Sequence, residues 1–316
     1  MTDTLSTLTP EAKQFYKKTM LFRARQAQTF YKFGQMTAYG DNMGNQVSWR
    51  RINAFGLSTS PLTEGATPTS TPISISEVTT TVGQYGNYVG ISDALNKLGI
   101  DKIMSEVTPA LGQNAGESVE KVVANTIQGG TTVIYATGSS RAAQSTSNPI
   151  SLALFRKALT TLDAANTHRF TGPEENDRIG QGHYVAFVHP YVVYDIFNDQ
   201  ELKNAFQYHS NDRLYDGSIG SIYGIEIFQS TLCPIFTGAG SGGANVYATI
   251  VVGQEAFGVL DIGGSGKFEM IVKEIGSSGS DDPLNQRGTV GWKAWQAPTI
   301  LNNSFFLRIE SGATIG

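Results

Sequence analysis

The sequence predicts an α+β protein. Glycine accounts for 35 of the 316 residues, and together with many Ser and Thr residues it favours numerous turns and strands over a helical bundle. Two long stretches with helical periodicity, residues 9 to 34 and 101 to 128, add helix to this β content. The chain is long enough to bury a sizeable core, and its length suits two typical domains or one elaborated domain.

Cysteine content and hydropathy exclude several classes of protein. Cys233 is the only cysteine, so the chain forms neither an internal disulfide framework nor a cysteine-based zinc site, and a reducing compartment is expected. The first residues show no basic region followed by an apolar core, and no apolar run approaches the ~20 residues that span a bilayer. The sequence therefore predicts neither secretion nor a membrane partner.

The amino-terminal region is basic, whereas the rest of the chain is acidic. Residues 1 to 51 hold eight Lys or Arg and three Asp or Glu, a net charge of +5, and the other 265 residues carry −9 because the whole chain carries −4. Such an arm can meet nucleic acid, an acidic partner or a neighbouring subunit. No DNA-reading motif accompanies the charge, which argues against sequence-specific DNA recognition.

A helix is predicted within this basic arm. Thr9, Pro10 and Glu11 form a helix start, and the apolar spacing predicts that the helix continues to about Gly34. The helix either packs on its own domain or reaches a partner, and the pattern leaves both readings open. The side chains that we expect to contact a partner are Tyr16, Arg23, Arg25 and Lys32.

A segment of unusual composition lies between two predicted strands. Residues 47 to 55 alternate as a strand, and residues 73 to 91 form a second β segment rich in Val, Thr, Ile and Tyr. Between them, residues 57 to 71 are rich in Ser, Thr, Pro and Gly, and only Leu57 and Leu62 are large aliphatic residues. This stretch cannot supply a core, so it either lacks fixed structure or is buried against another chain.

The flanking strands favour a long two-stranded arm for this segment. An isolated hairpin is marginally stable in water unless it packs on something else. We therefore expect residues 57 to 76 to form a hairpin between subunits. Leu62 and Ile73 are the expected apolar anchors, and Glu64 is the expected partner for a basic group across the interface.

The longest predicted helix covers residues 101 to 128. Pro109 is expected to kink it, and Gly112 and Gly116 each weaken it by about 1 kcal/mol relative to Ala, so tertiary packing has to hold it. Gly129-Gly130 is expected to end it. Its apolar residues recur at helical spacing and are Ile103, Val107, Leu111, Val119, Val122 and Val123.

The rest of the chain alternates between helices and strands. A helix is predicted from Asn148-Pro149, and a shorter one from Pro190, since proline is favoured in the first turn. Strands are predicted at residues 184–188, 222–228, 246–252, 257–262, 268–275, 289–295 and 305–309.

No residue pattern predicts a catalytic, cofactor or metal site. The run from Gly238 to Gly243 does not match a dinucleotide fingerprint, and residues 263–267 lack the spacing of a phosphate loop, so both are interpreted as turns. The four histidines form no His-Glu-x-x-His arrangement. The acidic pairs Glu174-Glu175 and Asp281-Asp282 are assigned to solvated loops.

The carboxyl-terminal third contains a distinctive run of residues. It reads Lys267-Phe268-Glu269-Met270-Ile271-Val272-Lys273, then Gly276-Ser277-Ser278-Gly279, then Asp282-Pro283-Leu284-Asn285-Gln286-Arg287-Gly288-Thr289-Val290-Gly291-Trp292-Lys293. This run resembles the major capsid proteins of N-four-like tailed bacteriophages. The strand, proline and helix at residues 185 to 197 and the arm that starts near Thr9 resemble the same family, so the likeness covers most of the chain.

The resemblance implies the Hong Kong ninety-seven capsid fold. This α+β fold has an N-terminal arm, an extended β-hairpin loop, a peripheral domain with a long spine helix, and an axial α/β domain. The corresponding limits here are 1–46 for the arm, 47–91 for the extended loop, 92–149 and 263–316 for the peripheral domain with a spine helix at 101–129, and 150–262 for the axial domain.

The resemblance also implies a function and partners. The expected function is a major capsid protein that forms hexamers and pentamers of an icosahedral shell around double-stranded DNA, without catalysis and without a cofactor. The implied partners are other copies of the chain, a separate scaffolding protein, a portal, and DNA that is contacted non-specifically. The implied locations are the virion and, during assembly, the host cytoplasm.

Two other functions are compatible with parts of the sequence. A metal-independent hydrolase would place its acids in the 150–262 section, and a β-rich surface protein would account for the strands. The capsid interpretation explains three features together, namely the coreless hairpin, the basic arm on an acidic body and the lack of a catalytic set. We therefore prefer it.

Overall fold

The computed structural model describes residues 23–24, 28–38, 44–53, 55–65, 67–98, 103–170, 182–199, 218–261, 268–273, 275–276 and 282–315. Its α-helices, α1 to α4, span Asp93–Leu98, Ile103–Ile127, Leu152–Ala164 and Pro190–Asn198. Its strands, β1 to β15, span Gln35–Thr37, Gln46–Ile52, Ile75–Thr81, Gly83–Ser92, Val133–Tyr135, Tyr184–Val188, Ser218–Ile222, Ile225–Gln229, Ile235–Phe236, Val246–Val252, Phe257–Leu260, Phe268–Lys273, Arg287–Gln296, Thr299–Ile300 and Phe306–Ser311.

The largest sheet has seven strands. Its order is β5-β15-β10-β6-β8-β7, and β9 also pairs with β10. Strands β6 and β10 are buried along their whole length because both faces of the sheet are covered. Helices α3 and α4 lie on one face, where Phe155, Leu162 and Ile196 join the apolar cluster of the sheet.

Helix α4 begins at Pro190 for local reasons. Proline has no N–H to leave unpaired at the first helical position, and its φ angle suits a helix start. The preceding His189 caps the helix, since its Nδ1 accepts the Tyr191 N–H at 3.2 Å. The predicted strand at 184–188 and the helix from Pro190 are both confirmed.

The spine helix α2 packs on a three-stranded sheet of order β12-β13-β4. Leu111, Val119 and Val123 are buried on this helix, as its apolar spacing predicted. The Trp292 Nε1–H donates to Asn114 Oδ1 at 3.1 Å and so ties the middle strand to the helix. The helix continues through Pro109 and ends at Ile127, just before Gly129-Gly130. No helix in the described part of the chain is both long enough and apolar enough to cross a membrane.

Two smaller sheets lie beside these layers. Strands β2 and β3 form an antiparallel hairpin whose ladder runs from the Gln46–Thr81 pair to the Ile52–Ile75 pair. The other has the order β1-β11-β14, in which β1 of the arm runs parallel to β11. Residues 35–37 of the arm therefore join the body of the protein through β11.

Three local expectations were wrong. The arm helix does not continue to Gly34, because residues 28–30 are not helical and Tyr31–Phe33 forms a single 3-10 turn. The predicted strand at 222–228 is two strands, since Tyr223 and Gly224 adopt positive φ angles and make the turn between β7 and β8. The helix predicted from Asn148 begins at Leu152, after Ser151.

The domain limits remain a prediction, but the pairing of the last strand bears on them. Strand β15, from residues 306–311, pairs with β10 and with β5. The seven-stranded sheet therefore combines segments assigned to both the peripheral and the axial domain. Such pairing between distant segments is not visible in the local pattern of the chain.

Candidate assembly surfaces

The tip of the β2–β3 hairpin is exposed throughout. Every described residue from Phe55 to Ser74 is exposed to solvent. Leu62 is 77% exposed and Ile73 is 67% exposed, and Glu64 is also exposed. Apolar side chains this open have little contact with their own subunit, so the tip contributes little to the core.

The root of the hairpin is anchored, in contrast to its tip. Val47 and Trp49 are buried against Leu260 and Ala297. The far end of the ladder is closed where the Asn53 N–H donates to the Ser74 carbonyl at 2.9 Å. The hairpin is therefore held at one end by the body of the protein and extends into solvent at the other.

Aromatic rings hold the root of the arm on the body. Phe30 is fully buried, and its ring centroid lies 4.4 Å from that of Phe187 in strand β6. The Phe33 ring lies 4.9 Å from the Phe228 ring. Lys32, between them, is exposed.

A buried carboxylate also binds the arm root. Glu120, on spine helix α2, has 0% exposure and accepts the backbone N–H groups of Thr29, Phe30 and Tyr31. Burial raises its pKa from 4.5 to about 7, although these hydrogen bonds act in the opposite direction. The Tyr31 hydroxyl donates to the Leu260 carbonyl.

The seven expected contact residues fall into two groups. Leu62, Glu64 and Ile73 lie together on the exposed hairpin tip, and Arg23 and Lys32 are exposed on the arm. Tyr16 and Arg25 lie outside the described residues. The assignment of all seven to an interface stays a prediction.

A groove of about 470 Å³ crosses the outer face of the three-stranded sheet. Gly86 pairs with Lys293, and Tyr88 pairs with Gly291, so these four residues share one face. Tyr88 is 71% exposed, and a Cβ on Gly291 would lie 2.8 Å from the Tyr88 Cβ. The groove is a second open surface, and glycine at position 291 leaves room for the Tyr88 side chain on it.

The polar groups that could suggest catalysis are paired with one another. His183 Nε2 lies 2.8 Å from Glu226 Oε2, and Asp163 Oδ1 accepts hydrogen bonds from Arg169 and from the Tyr184 hydroxyl, both at 2.8 Å. Among the residues that the structure describes, no group of three or more His, Cys, Asp or Glu could hold a metal ion.

The interpretation of the glycine run as a turn is confirmed. Gly238, Gly242 and Gly243 have positive φ angles of 65°, 67° and 79°. Residues other than glycine rarely adopt this left-handed backbone conformation. The second run, 263–267, lies outside the described residues, and so do Glu174, Glu175 and Asp281. The assignment to a solvated loop is wrong for Asp282, which is buried and whose Oδ2 accepts the Arg287 N–H at 2.7 Å.

Two important residues were missed by sequence reasoning. Trp49 was treated only as part of a strand, although it anchors the hairpin root. Glu120 interrupts the apolar stripe of the spine helix between Val119 and Val123, and an acid at such a position is a signal of a buried polar contact. The aromatic residues that surround the arm root could also have pointed to a contact there.

Comparisons with known proteins support a capsid protein. A family model described as "Phage capsid protein" matches residues 76–308. No curated protein sequence matches the chain. The residues that match include the second hairpin strand, the spine helix and most of the seven-stranded sheet.

Solved structures of capsids share the fold. The capsid of cyanophage Pam1 is 16% identical and has a TM-score of 0.67, with 93% of each chain covered. The capsid of Ralstonia phage GP4 is 12% identical with a TM-score of 0.67, covering 91% of this chain and 92% of that chain. A virus-like particle from Pyrococcus furiosus is 10% identical with a TM-score of 0.52, covering 94% and 98%.

At these identities the structural likeness establishes the fold alone. It confirms the predicted Hong Kong ninety-seven capsid fold, while the narrower likeness to N-four-like phages stays a prediction. The family model adds what the fold cannot supply, because it matches sequence over most of the chain. The chain therefore belongs to the phage capsid protein family.

Proposed function

We propose that the protein is the major capsid protein of a tailed phage and builds an icosahedral shell of hexamers and pentamers around double-stranded DNA. The observation that carries this proposal is the hairpin of residues 46–81, which is anchored at its root and exposed at its tip. A monomeric protein gains little from such an element. A shell subunit needs one, because each copy has to hold its neighbours.

The hairpin tip buries too little apolar surface to become ordered on its own subunit. Fixing the backbone of one residue costs about 1–2 kcal/mol, whereas burying a Leu or Ile side chain returns about 1.5–3 kcal/mol. The apolar side chains of the tip are too few and too exposed to balance that cost along the whole loop. A neighbouring copy supplies the missing contacts, with Leu62 and Ile73 as apolar anchors and Glu64 as the acidic contact.

Three prolines lower the cost of ordering the tip. Pro61, Pro68 and Pro72 restrict the free loop, so less conformational entropy is lost when the loop binds. The loop is therefore suited to binding in an extended form without a core of its own.

The basic arm is the second proposed contact. Arg23, Arg25 and Lys32, together with the aromatic ring of Tyr16, meet acidic surfaces of neighbouring copies or the DNA inside the shell. Exposed ion pairs contribute about 0–1 kcal/mol each, so the arm acts through several weak contacts. DNA is bound through its phosphates and without sequence preference.

The remaining partners follow from the proposed function. The subunits assemble on a separate scaffolding protein and around a portal in the host cytoplasm, and the mature location is the virion. Contacts within a ring are heterologous, so each surface patch meets a different patch on the next copy and curvature decides whether the array closes. Many simultaneous contacts make the shell far more stable than any one of them.

Electron microscopy of the purified protein, combined with a nucleic-acid assay, tests this function. We expect uniform closed shells or capsomer rings and, in particles from infected cells, DNA that resists nuclease. Closed shells that never contain DNA would contradict the packaging part of the proposal. A monodisperse monomer at all concentrations, with and without scaffold, would contradict shell formation.

A further inference from the structure

The carboxylate of Glu120 binds a segment that lies about ninety residues earlier in the chain. Its Oε1 accepts the N–H of Thr29 at 2.6 Å and the N–H of Phe30, and its Oε2 accepts the N–H of Tyr31 at 3.2 Å. Three successive backbone donors therefore converge on one side chain of the spine helix. The local sequence of the arm gives no hint of this partner.

These bonds explain the path of the arm. In a continuous helix, the N–H groups of residues 29–31 would bind carbonyl groups four residues earlier. Here the Glu120 oxygens accept these N–H groups instead, and residues 28–30 are not part of a helix before the 3-10 turn at Tyr31–Phe33. The next residues pair with β11 as strand β1, so Glu120 marks the point where the arm joins the body.

We propose that Glu120 is the positioning residue that fixes the root of the N-terminal arm, and that proton binding at its carboxylate tightens this hold. The carboxylate is fully buried, and the arm residues Phe30 and Tyr31 that cover it are 0% and 6% exposed. The arm's effect on assembly rests on the proposed function, whereas its attachment to Glu120 does not.

Few charged or titratable groups face this carboxylate. Lys32 on the arm lowers the pKa of Glu120 by its positive charge. Cys233, on the turn after strand β8, carries a thiol whose pKa is raised by burial and then by Glu120. Glu117 and Lys121 are the nearest charged residues on the spine helix itself.

The sign of the pH dependence follows from burial. With the arm in place, the pKa of Glu120 is about 7, well above its ordinary value of 4.5. When the arm lifts away, water reaches the carboxylate, and the pKa returns towards that ordinary value. The attached state binds the proton more tightly, so attachment is strongest below pH 4.5 and weakens as the pH rises through 7.

Hydrogen exchange of the backbone amides of residues 29–31 tests the proposal. Protection factors, corrected for intrinsic exchange, are measured from about pH 5 to about pH 8.5 in the wild-type protein and in Glu120→Gln. We expect wild-type protection to fall as the pH rises from about 5 towards 7, and to level off above the pKa of about 7 of the attached state. In Glu120→Gln, protection no longer depends on pH, because the side chain does not titrate.

The glutamine variant has a second expected effect. One carboxylate oxygen becomes an NH₂ group, which cannot accept a hydrogen bond, so at least one of the three amides loses its partner. Its protection should fall about ten- to a hundredfold. Glu106→Gln is the matched control, since it makes the same change at an exposed position of the same helix, fourteen residues before Glu120, and should leave the profile of residues 29–31 unchanged.

The wild-type protein alone tests the proton-binding part of the proposal. That part is wrong if the protection of residues 29–31 is constant across this pH range or increases with pH. Unchanged protection of all three amides in Glu120→Gln overturns the positioning part. If protection falls as expected but the variant assembles normally, Glu120 positions the arm and the proposed role of the arm in assembly is wrong.

Discussion

The indole ring of Trp49 lies directly on the backbone of Gly258. A Cβ atom added to Gly258 would come within 2.6 Å of Trp49 Cε2 and 2.7 Å of its Nε1. The glycine in strand β11 therefore makes the space in which the hairpin root is seated. The contact joins the element proposed to reach neighbouring subunits to the body of its own subunit.

Gly258→Ala should displace Trp49 and loosen the hairpin root. Overpacking of this kind costs about 1–3 kcal/mol in the free energy of unfolding. Gly90→Ala is the control, because a Cβ there meets no atom within 4 Å, and its cost should stay within about 0.5 kcal/mol. Urea unfolding of the free subunit measures both, and equal values would show that the Trp49 contact has no energetic role.

Glu310→Gln should be strongly destabilising. Glu310 has 0% exposure and accepts two hydrogen bonds of 2.7 Å from Arg141 and one of 2.8 Å from Arg308. Removing its charge leaves the buried guanidinium of Arg308 and the partly exposed guanidinium of Arg141 without their counter-ion, and breaking such a buried ion pair costs about 3–5 kcal/mol.

The matched control for this change is Glu269→Gln. Glu269 pairs with Lys293 at 3.2 Å, but both side chains are partly exposed, so this loss should be about 0–1 kcal/mol. Urea midpoints of the two variants provide the comparison. Similar shifts of the two midpoints would mean that burial does not increase what the ion pairs of Glu310 contribute to the free energy of unfolding.

Replacing residues 55–73 with a short Gly-Ser turn should leave a folded subunit that forms no stable shells. The ladder from Ile52 to Ile75 remains, and the buried root is untouched. Circular dichroism and light scattering test the fold and the assembly separately. Equal, strong exchange protection of residues 57–76 in free and assembled protein would instead place the loop on its own subunit.

A single substitution tests the same loop without deleting it. Leu62→Asn removes an exposed apolar side chain, so it should weaken assembly while leaving the unfolding of the free subunit within about 0.5 kcal/mol of wild type. Thr63→Asn introduces the same residue at the neighbouring exposed position and should assemble nearly normally. Equal assembly of the two variants would remove Leu62 as an anchor.

The triple variant in which Gln replaces Arg23, Arg25 and Lys32 should assemble or package more slowly. Each single substitution should have a mild effect, because exposed ion pairs contribute about 0–1 kcal/mol each. A control triple variant at the exposed cations Lys157, Lys273 and Arg287 changes the net charge equally. The yield of filled heads is the readout. Normal yields from the arm variant, or equal losses from both, would show that the arm's charge has no specific role.

His189 should make the start of helix α4 sensitive to acid. Burial lowers its pKa below the ordinary value of 6.5, and its neutral Nδ1 accepts the Tyr191 N–H. Its contribution is present above pH 6.5 and is lost as the pH falls through the lowered pKa. His189→Asn keeps a capping acceptor that does not titrate, so wild type should lose about 1 kcal/mol relative to this variant in acid. Parallel pH profiles would contradict this role.

Local sequence patterns predicted the helices and strands whose conformation depends mainly on their own residues. The strand at Tyr184–Val188, the helix from Pro190 and the strand at Val246–Val252 were all predicted correctly. An apolar run or a proline at the right position is sufficient for these elements. The errors fell where the conformation depends on a partner or on one turn, as at residues 28–34 and at Tyr223.

By itself the sequence determined that the chain is an α+β protein with a coreless hairpin and a basic arm, and its carboxyl-terminal run indicated the capsid family. Only the tertiary structure decided where the arm and the hairpin join the body, because Glu120 meets Thr29, and Trp49 meets Gly258, across long separations in the chain. Periodicity reports which face of an element is apolar, but not which distant element covers it. That choice depends on packing and on the pairing of buried polar groups throughout the folded chain.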